Sequence, residues 1–570
     1  MKAPLEQIPD HLQEYITEQD PSLYTPIDQA VWRYVMRVSK HFFGKHGHPL
    51  YLQGLETTGI STDRIPLVSE MDAALRKLGW RAVVINGFIP PAIFLEFQSL
   101  RILAIACDIR QLENLGYTPS PDIIHEAAGH VPIVADPEYR AYLEDYGEVA
   151  RNAIITQFDV ELYDAIFKLS EIKENPHAKP EDIARAQAEF EAVAKRETLP
   201  SEAALLTRMA WWTTEYGLLE VDGKPLIYGA GLLSSIQESY HCLDASVKKI
   251  PLNLDAAIHT SYDITRPQPQ LFVAKSFTEL RSALDGFADT MAYRRGGAYG
   301  LEVASQAGNT VSVALDNGIT LSGIVKDFLL GQDAEPCAFT LSGVKQVSFD
   351  GKELDELHTH SLSNDLFVPL FSEAALKASP DELKRKIHGS GLTTRSGLRV
   401  QGRFKKELTL GRSARIWLLE SVKIVDSAGK TVFSESRKHY PLFLAASIPS
   451  VYGGAADRNS YILRNRKPVS KVKSHQSNRT DANAGLCDLY ARVRRFRDSS
   501  LRDPRSLDPI HESIQSLAPK DWLLRLELLE LYQKLEPEGV ALARIRNELA
   551  ELKSQSAEMK EMIERGISSL

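Results

Sequence analysis

Hydrophobic positions in the first half of the chain recur at helical spacing. The runs IDQAVWRYVMRVSKHFF from Ile27 and PLVSEMDAALRKLGW from Pro66 place apolar residues three and four apart, and strand signals are sparse. Residues 1–298 therefore read as one mostly helical block, with the charged, Ala-rich stretch 170–196 as an insertion helix. From about Val303 the period changes to strict alternation, punctuated by hairpin signals at Asn317-Gly318 and Asp350-Gly351 and continued in RIWLLESVKIVDSAGKTVFSES. That change predicts a domain boundary and a β-rich domain over 299–460. Residues 461–482, carrying RNRKPVSKVKSHQSNR, are basic and poor in apolar residues and read as an exposed linker. Beyond it, 483–570 turns helical again, divided by Pro504, Pro509, Pro519 and Pro537. In its last part Leu542, Ile545, Leu549, Leu552, Ser556, Met559 and Ile563 step by three and four. This short heptad seam fits either packing within the chain's own bundle or a homo-oligomer joined through the C-terminal helix.

Composition narrows the function. At 570 residues the chain exceeds one comfortable core, and 43% hydrophobic with 25% charged residues is a globular mix. A net charge of -8 offers no footprint for a phosphate backbone, which argues against a nucleic-acid partner. Cys107, Cys242, Cys337 and Cys487 lie far apart without CxxC spacing, so a disulfide framework is not expected and a reducing cytoplasm is. The N-terminus lacks an apolar signal segment, and no stretch approaches the roughly 18 apolar residues of a membrane span.

The stretch YTPSPDIIHEAAGHVPIVADPEY concentrates the chemistry. Pro119 and Pro121 lead into a short helix whose N-cap is Asp122, and His125 and His130 flank Glu126 and Gly129. Five positions along a regular helix rotate one histidine about 140° from the other, so the helix must end or distort for both to meet one metal. Gly129 is suited to that task through the left-handed conformation open to glycine. The interval is one residue longer than the HExxH pair of zinc proteases. Glu215, in MAWWTTEYGLLEV, is a candidate third ligand, because an unpaired carboxylate among Trp211, Trp212 and Tyr216 is costly to bury. Two imidazoles and a carboxylate form the facial triad that binds Fe(II) and leaves positions open for oxygen chemistry. Glu215 lies so far downstream of His130 that spacing alone does not select it.

Taken together, IRQLENLGYTPSPDIIHEAAGHVPI, WWTTEYGL, YGAGLLSSIQE and SYDITRPQPQLFVAKSF resemble, in order, the motifs of the pterin-dependent aromatic amino acid hydroxylases, across about residues 100–280. The resemblance implies a mostly α catalytic domain of that family's type. It also implies Fe(II) held by His125, His130 and Glu215, with tetrahydrobiopterin and O2 as cosubstrates of a monooxygenase acting on a free aromatic amino acid. By the same resemblance Arg110 holds the substrate carboxylate, as a planar guanidinium can. Thr118, Trp211, Tyr228, Ser234 and Ser235 complete the substrate side, with the turn Tyr228, Gly229, Ala230, Gly231. Ser234 also orients a histidine ligand, and Glu126 lies near the pterin. The segment FIPPAIFLEFQSLRILAIACDIR leaves both Phe94 and Phe97 as candidates to stack on the pterin. Ile264 argues against a tyrosine hydroxylase, and phenylalanine is favoured over tryptophan as substrate.

Only a short lead precedes Ile27, so the N-terminal regulatory domain of the animal enzymes is not expected here. Two other readings stand beside the hydroxylase: a zinc hydrolase with Glu126 as base, and a non-catalytic interaction protein whose working part is the C-terminal half. The pair His358 and His360 and the cluster His41, His46, His48 read as strand-face and loop residues rather than ligands.

Overall fold

The helix Pro26–His46 begins on a capping box: Thr25 Oγ1 accepts the Asp28 N–H at 3.2 Å, and the Asp28 carboxylate accepts the Thr25 N–H at 2.8 Å. Such a cap contributes about 1 kcal/mol, and Pro26 at the first helical position needs no donor there. The computed structural model describes residues 6–85, 89–116, 121–174, 178–196, 199–263, 266–357, 365–411, 414–436, 439–465, 484–500 and 503–570. Around this helix the first core collects Trp32, Trp80, Trp212 and the tyrosines Tyr51, Tyr139, Tyr142 and Tyr228, all fully buried. His41 and His46 belong to the same helix and His48 caps the next, Pro49–Thr57, so they do not form the loop expected from sequence.

Two small sheets flank the helices. In the first, Arg81–Ile85 runs parallel to Ile102–Ala106, with helix Pro91–Ser99 between them in the chain, and Ile16–Thr17 pairs antiparallel. The second has the order Lys224–Ile227, Leu218–Val221, Gln270–Ala274, Lys248–Pro251. The insertion is a helical hairpin rather than one helix. Gln157–Glu174 and Pro180–Ala194 run antiparallel, tied by contacts of Lys173 with Gln187 and of Arg196 with Glu161, and Pro180 starts the second helix.

The alternating region forms two antiparallel sheets over a second core. One is built on the paired strands Ile319–Leu330 and Pro336–Phe349, the other on Arg399–Leu410 and Ala414–Val425. Asp350 and Gly351 take φ of 47° and 75°, the left-handed pair of a two-residue hairpin turn. The first strand begins at Val311, because helix Gly297–Ala307 comes before it and places Leu301, Ala304 and Ala307 in this second core.

Helix Arg458–Asn465 ties this region to the N-terminal unit. It occupies the start of the stretch read as linker, and residues 466–483 lie outside those described. Glu96 faces His11 Nε2 at 3.1 Å and Arg458 at 3.7 Å, and Asn459 Oδ1 lies 3.1 Å from His11 Nδ1. Burial lowers the His11 pKa, but Glu96 and Asn459 outweigh burial and Arg458, so the net shift is upward. A group raised on folding stabilises fully below its unfolded pKa of about 6.5 and loses that contribution as pH rises through the folded value. The melting temperature is therefore expected to fall as pH climbs above 6.5, and His11→Asn to flatten this component. A melting profile of His11→Asn as steep as that of the parent chain would refute the assignment.

Among the described residues of the C-terminal region, the α-helices are Ala484–Asp498, Asp508–Leu517, Trp522–Leu535, Val540–Lys553 and Ala557–Ser568. The heptad seam does not run through a single helix. Ser556 caps the last one by accepting the Met559 N–H, while Leu542, Ile545, Leu549, Leu552 and Ile563 are buried in the same core as helix Pro26–His46. The seam is thus turned inward and covered by the chain's own helices. Among the described residues no helix is long and apolar enough to cross a membrane, and none of the four cysteines forms a disulfide.

Candidate metal centre

His125 and His130 share one π-helical turn, His125–His130, in which the Val131 N–H bonds the Glu126 carbonyl five residues back. A π turn closes i→i+5 hydrogen bonds, so residues five apart come to one side. This is how the chain solves the rotation problem posed by the sequence. Gly129 takes no positive φ and does not end the helix, contrary to the left-handed break expected of it. Its role is close approach: a Cβ there would lie 2.7 Å from the Ala230 carbonyl oxygen. Glu215 sits at the end of a second π turn, Trp211–Glu215, closed by the Tyr216 N–H on the Trp211 carbonyl. Gly229 lets the next segment lie against it, since a Cβ at that position would be 2.4 Å from the Glu215 carbonyl oxygen.

The two turns bring three ligand atoms together. His125 Nε2 lies 3.1 Å from His130 Nε2 and 3.6 Å from Glu215 Oε2, and His130 Nε2 lies 3.2 Å from Glu215 Oε1. Among the described residues this is the one cluster of three such groups placed to hold a metal ion. The side chains keep 18, 10 and 23% exposure, so one side of the triad is open.

Ser234 determines which nitrogen of His125 faces that side. Its hydroxyl proton goes to the Ala230 carbonyl at 2.8 Å, so its oxygen accepts Nδ1–H of His125 at 2.9 Å and leaves the Nε2 lone pair free. Burial drives His125 down to about 4, with His130 and Arg110 adding to the shift against Glu215 and Asp122, and the ring is neutral. Burial also opposes charge on His130, yet Glu215 and Glu126 carry it up to about 9. Glu215, pushed upward by its own burial, is drawn down to about 2 chiefly by His130 and His125. A cation at the meeting point would take the place of the shared proton.

The donor set is therefore preformed, and it is sensitive to packing behind it. Gly129→Ala forces a methyl group against the Ala230 carbonyl, and overpacking of this kind costs about 1–3 kcal/mol. The expected outcome is a lower melting temperature together with weaker Fe(II) binding in a metal titration. Unchanged metal affinity would show that the contact does not support the site.

Arg110 is 5% exposed and held from two sides. Nε and Nη2 each donate to Asp122 at 2.8 Å, and Nη1 donates to the Ser234 carbonyl at 2.9 Å. One N–H on each Nη is left without a protein acceptor among the described residues. Burial would raise the Asp122 pKa, but Arg110 and the His125 N–H hold it below the usual carboxylate range. In the sequence Asp122 has the place of a helix cap. It also orients Arg110, and nothing in the spacing signals that second task.

The remaining candidates divide. Trp211 stacks on Tyr262 at 4.2 Å and on Tyr216 at 4.5 Å, and two rings at those distances cannot share one face of an indole. Trp211 is therefore sandwiched, and the wall it belongs to is a three-ring stack, with Gln268 Oε1 at 3.4 Å from its Nε1. Tyr262 and Gln268 both lie in the SYDITRPQPQLFVAKSF motif, where nothing in their spacing marks them as neighbours of Trp211. Glu126 is 6% exposed, and its carboxylate makes no hydrogen bond or ion pair with a described residue. Burial, reinforced by Glu215 and Asp122, pushes it up to about 7 against His130. Phe97 is wholly buried in a core with Leu12, Val83, Ile85 and Ile102 and offers no ring face to a ligand, whereas Phe94 is only partly buried. Tyr228 is packed edge-on against Tyr139 and Phe277 at 1% exposure, and so belongs to the core rather than to a pocket wall. The Ser235 hydroxyl is already engaged, donating to the Gly116 carbonyl and accepting the Glu238 N–H. Thr118, Ile264, His358 and His360 lie outside the described residues.

Residues 8–155 and 198–302 match the family model described as biopterin-dependent aromatic amino acid hydroxylase; the match omits the whole helical hairpin and stops before the first strand of the β-rich region. The phenylalanine-4-hydroxylase of Mesorhizobium japonicum is 29% identical over 263 residues, covering 46% of this chain and 79% of the relative. That of Dictyostelium discoideum is 30% identical over 272 residues, covering 47% and 52%. The crystal structure of Chromobacterium violaceum phenylalanine hydroxylase with bound Fe(III) aligns with a TM-score of 0.38 at 27% identity, over 48% of this chain and 84% of that one. With its motifs in order and its two histidines and glutamate converged, the region formed by residues 8–155 and 198–302 belongs to the biopterin-dependent aromatic amino acid hydroxylases.

Proposed function

We propose that this chain hydroxylates the ring of free L-phenylalanine to give L-tyrosine, using Fe(II), tetrahydrobiopterin and O2. The observation that carries the reading is the convergence of His125 Nε2, His130 Nε2 and Glu215 on an open side, with the His125 tautomer set by Ser234. Two neutral nitrogen donors and a carboxylate fit Fe(II) and leave coordination positions free. Held by His125, His130 and Glu215, Fe(II) would activate O2, and the tetrahydropterin would supply two electrons and carry away one oxygen atom while the other enters the substrate ring.

The protein's own work is placement. Arg110, braced by Asp122 and the Ser234 carbonyl, offers its remaining N–H groups to the substrate carboxylate. The stack of Trp211, Tyr216 and Tyr262 gives the aromatic ring a stiff wall, and ordering of this kind contributes to rate by pre-aligning the reacting atoms. Glu126, whose carboxylate has no hydrogen-bond partner among the described residues, is suited to accept an N–H of the pterin, and Phe94 to stack on it. The family resemblance keeps Thr118 on the amino acid side. The curated relatives' names support phenylalanine as the substrate.

The test is anaerobic loading with Fe(II), then air, a tetrahydropterin and each of phenylalanine, tryptophan and tyrosine, with products identified by mass. Pterin-dependent tyrosine from phenylalanine is the expected result. Hydroxylated tryptophan in its place would move the substrate, and no ring hydroxylation despite bound iron would overturn the reading.

A further inference from the structure

The segment 234–240 has two sides with different neighbours. Inward, Ser234 accepts from His125 Nδ1 and, through its carbonyl, from Arg110. Next to it, the Gly116 carbonyl accepts the Ser235 hydroxyl at 3.1 Å and the Gln237 N–H at 3.4 Å, closing the segment onto the bend that follows the 3-10 turn Leu112–Asn114. Outward, the segment is covered by the last helix of the chain, Ala557–Ser568. The Arg565 guanidinium lies 3.9 Å from the centre of the Tyr240 ring and reaches the Ile236 carbonyl at 3.4 Å; Arg565 itself is 8% exposed. The Tyr240 ring is stacked on its other side by Phe42 at 4.0 Å.

A second contact reinforces the first. The Met562 methyl lies where a Cβ on Gly116 would come within 3.4 Å of it, and the Met562 carbonyl accepts the Tyr34 hydroxyl at 2.7 Å. Gly566 allows this approach, because a Cβ there would meet Leu526 at 2.4 Å and Tyr34 at 3.0 Å. The helix is therefore anchored to the buried Pro26–His46 helix and pressed on both Gly116 and Tyr240. The family match ends at residue 302, so nothing in it assigns a task to this helix.

We infer that Arg565 and Met562 are positioning residues for the amino acid side of the hydroxylase site, through the Tyr240–Ile236 and Gly116 contacts. The inference rests on the hydroxylase reading and extends it: the C-terminal bundle sets substrate affinity from behind the segment that aims Arg110. Packed networks of this type transmit changes of modest size, about three- to tenfold in affinity.

The full-length chain carries the test. Arg565→Ala is expected to raise the KM for phenylalanine about three- to tenfold, with kcat and the pterin KM within about twofold, and Arg565→Lys to recover part of the loss because its charge can still sit over the Tyr240 ring. Hydrogen exchange of the Gln237 amide is expected to quicken in Arg565→Ala. Leu549→Ala, which weakens the bundle away from the Arg565–Tyr240 contact, controls for lost stability and is expected to leave both readouts in place. An unchanged KM in Arg565→Ala, unchanged exchange at Gln237, or equal changes in Leu549→Ala would each overturn the inference. If the native chain does not turn over phenylalanine, the function reading fails by itself, and the exchange measurement still decides whether the helix holds the segment.

Discussion

Glu215→Ala is expected to abolish both iron retention and hydroxylation. Glu215 is the one carboxylate among the three converging ligands, and its oxygens lie 3.2 and 3.6 Å from the two imidazole nitrogens. Its loss leaves a divalent cation with two neutral donors in a largely buried site, where the ion's charge has little else to offset it. Removing an outer partner of a metal ligand usually costs about 10–100-fold in affinity or activity, and a ligand itself costs more. Ser234→Ala supplies the graded comparison. It frees His125 to adopt the other tautomer while leaving all three ligands present, so a loss of roughly 10–100-fold is expected. Metal content by elemental analysis and tyrosine yield by mass check both variants. Full iron occupancy in Glu215→Ala would remove this glutamate from the ligand set. Equal losses in the two variants would mean that Ser234 does more than orient a ring.

Glu527→Ala is expected to destabilise the chain by about 3–5 kcal/mol, the usual cost of leaving a buried charge without its partner. The side chain is 2% exposed. Its carboxylate takes three contacts from Arg33, at 2.7 to 3.1 Å, and one from Arg497 at 3.1 Å, with Arg37 at 3.8 Å. Glu530 beside it pairs with Arg37, Arg497 and Lys534. Replacing Glu527 strands Arg33 between the Pro26–His46 helix and the C-terminal bundle. Replacing Arg33 and Glu527 together with apolar residues of similar size is expected to restore much of the loss, because the desolvation cost then disappears from both sides. Chemical denaturation of the single and double variants separates these outcomes. A single variant as stable as the parent chain would mean that the ion pair contributes nothing to docking.

The same cluster has an acid limit with a definite sign. Burial pushes both carboxylates upward, but Arg33, Arg497 and Arg37 pull Glu527 below the carboxylate range, and Arg497 and Arg37 bring Glu530 down to about 2. A depressed folded value gives stability that is present above the unfolded pKa of about 4.5 and lost as pH falls towards the folded one. Docking of the bundle is therefore expected to hold at pH 5 and to fail as pH drops from about 4.5 towards 2.

What the linear sequence by itself determined is local. The alternation after Val303 and the Asp350-Gly351 turn specify hairpins, since a two-residue turn requires left-handed φ and a period of two requires a pleated face. The histidine pair, the motif order and the apolar stripe of the Pro26–His46 helix were equally legible. Tertiary structure decided what those features meet. A five-residue interval is compatible with a broken helix or a π turn, and packing of Gly129 on Ala230 goes with the π turn. Phe94 and Phe97 lie three residues apart on one helix, and only the neighbouring sheet decides that Phe97 is core. Periodicity marks Arg33 as a polar face and the last heptads as an apolar one, yet Arg33 is buried against Glu527 and the heptads are covered from within. Spacing reports which side of an element is apolar or charged. It carries no information about which distant residue comes to cover that side, and Glu215, Glu527 and Arg565 all reach their partners across long intervals of chain.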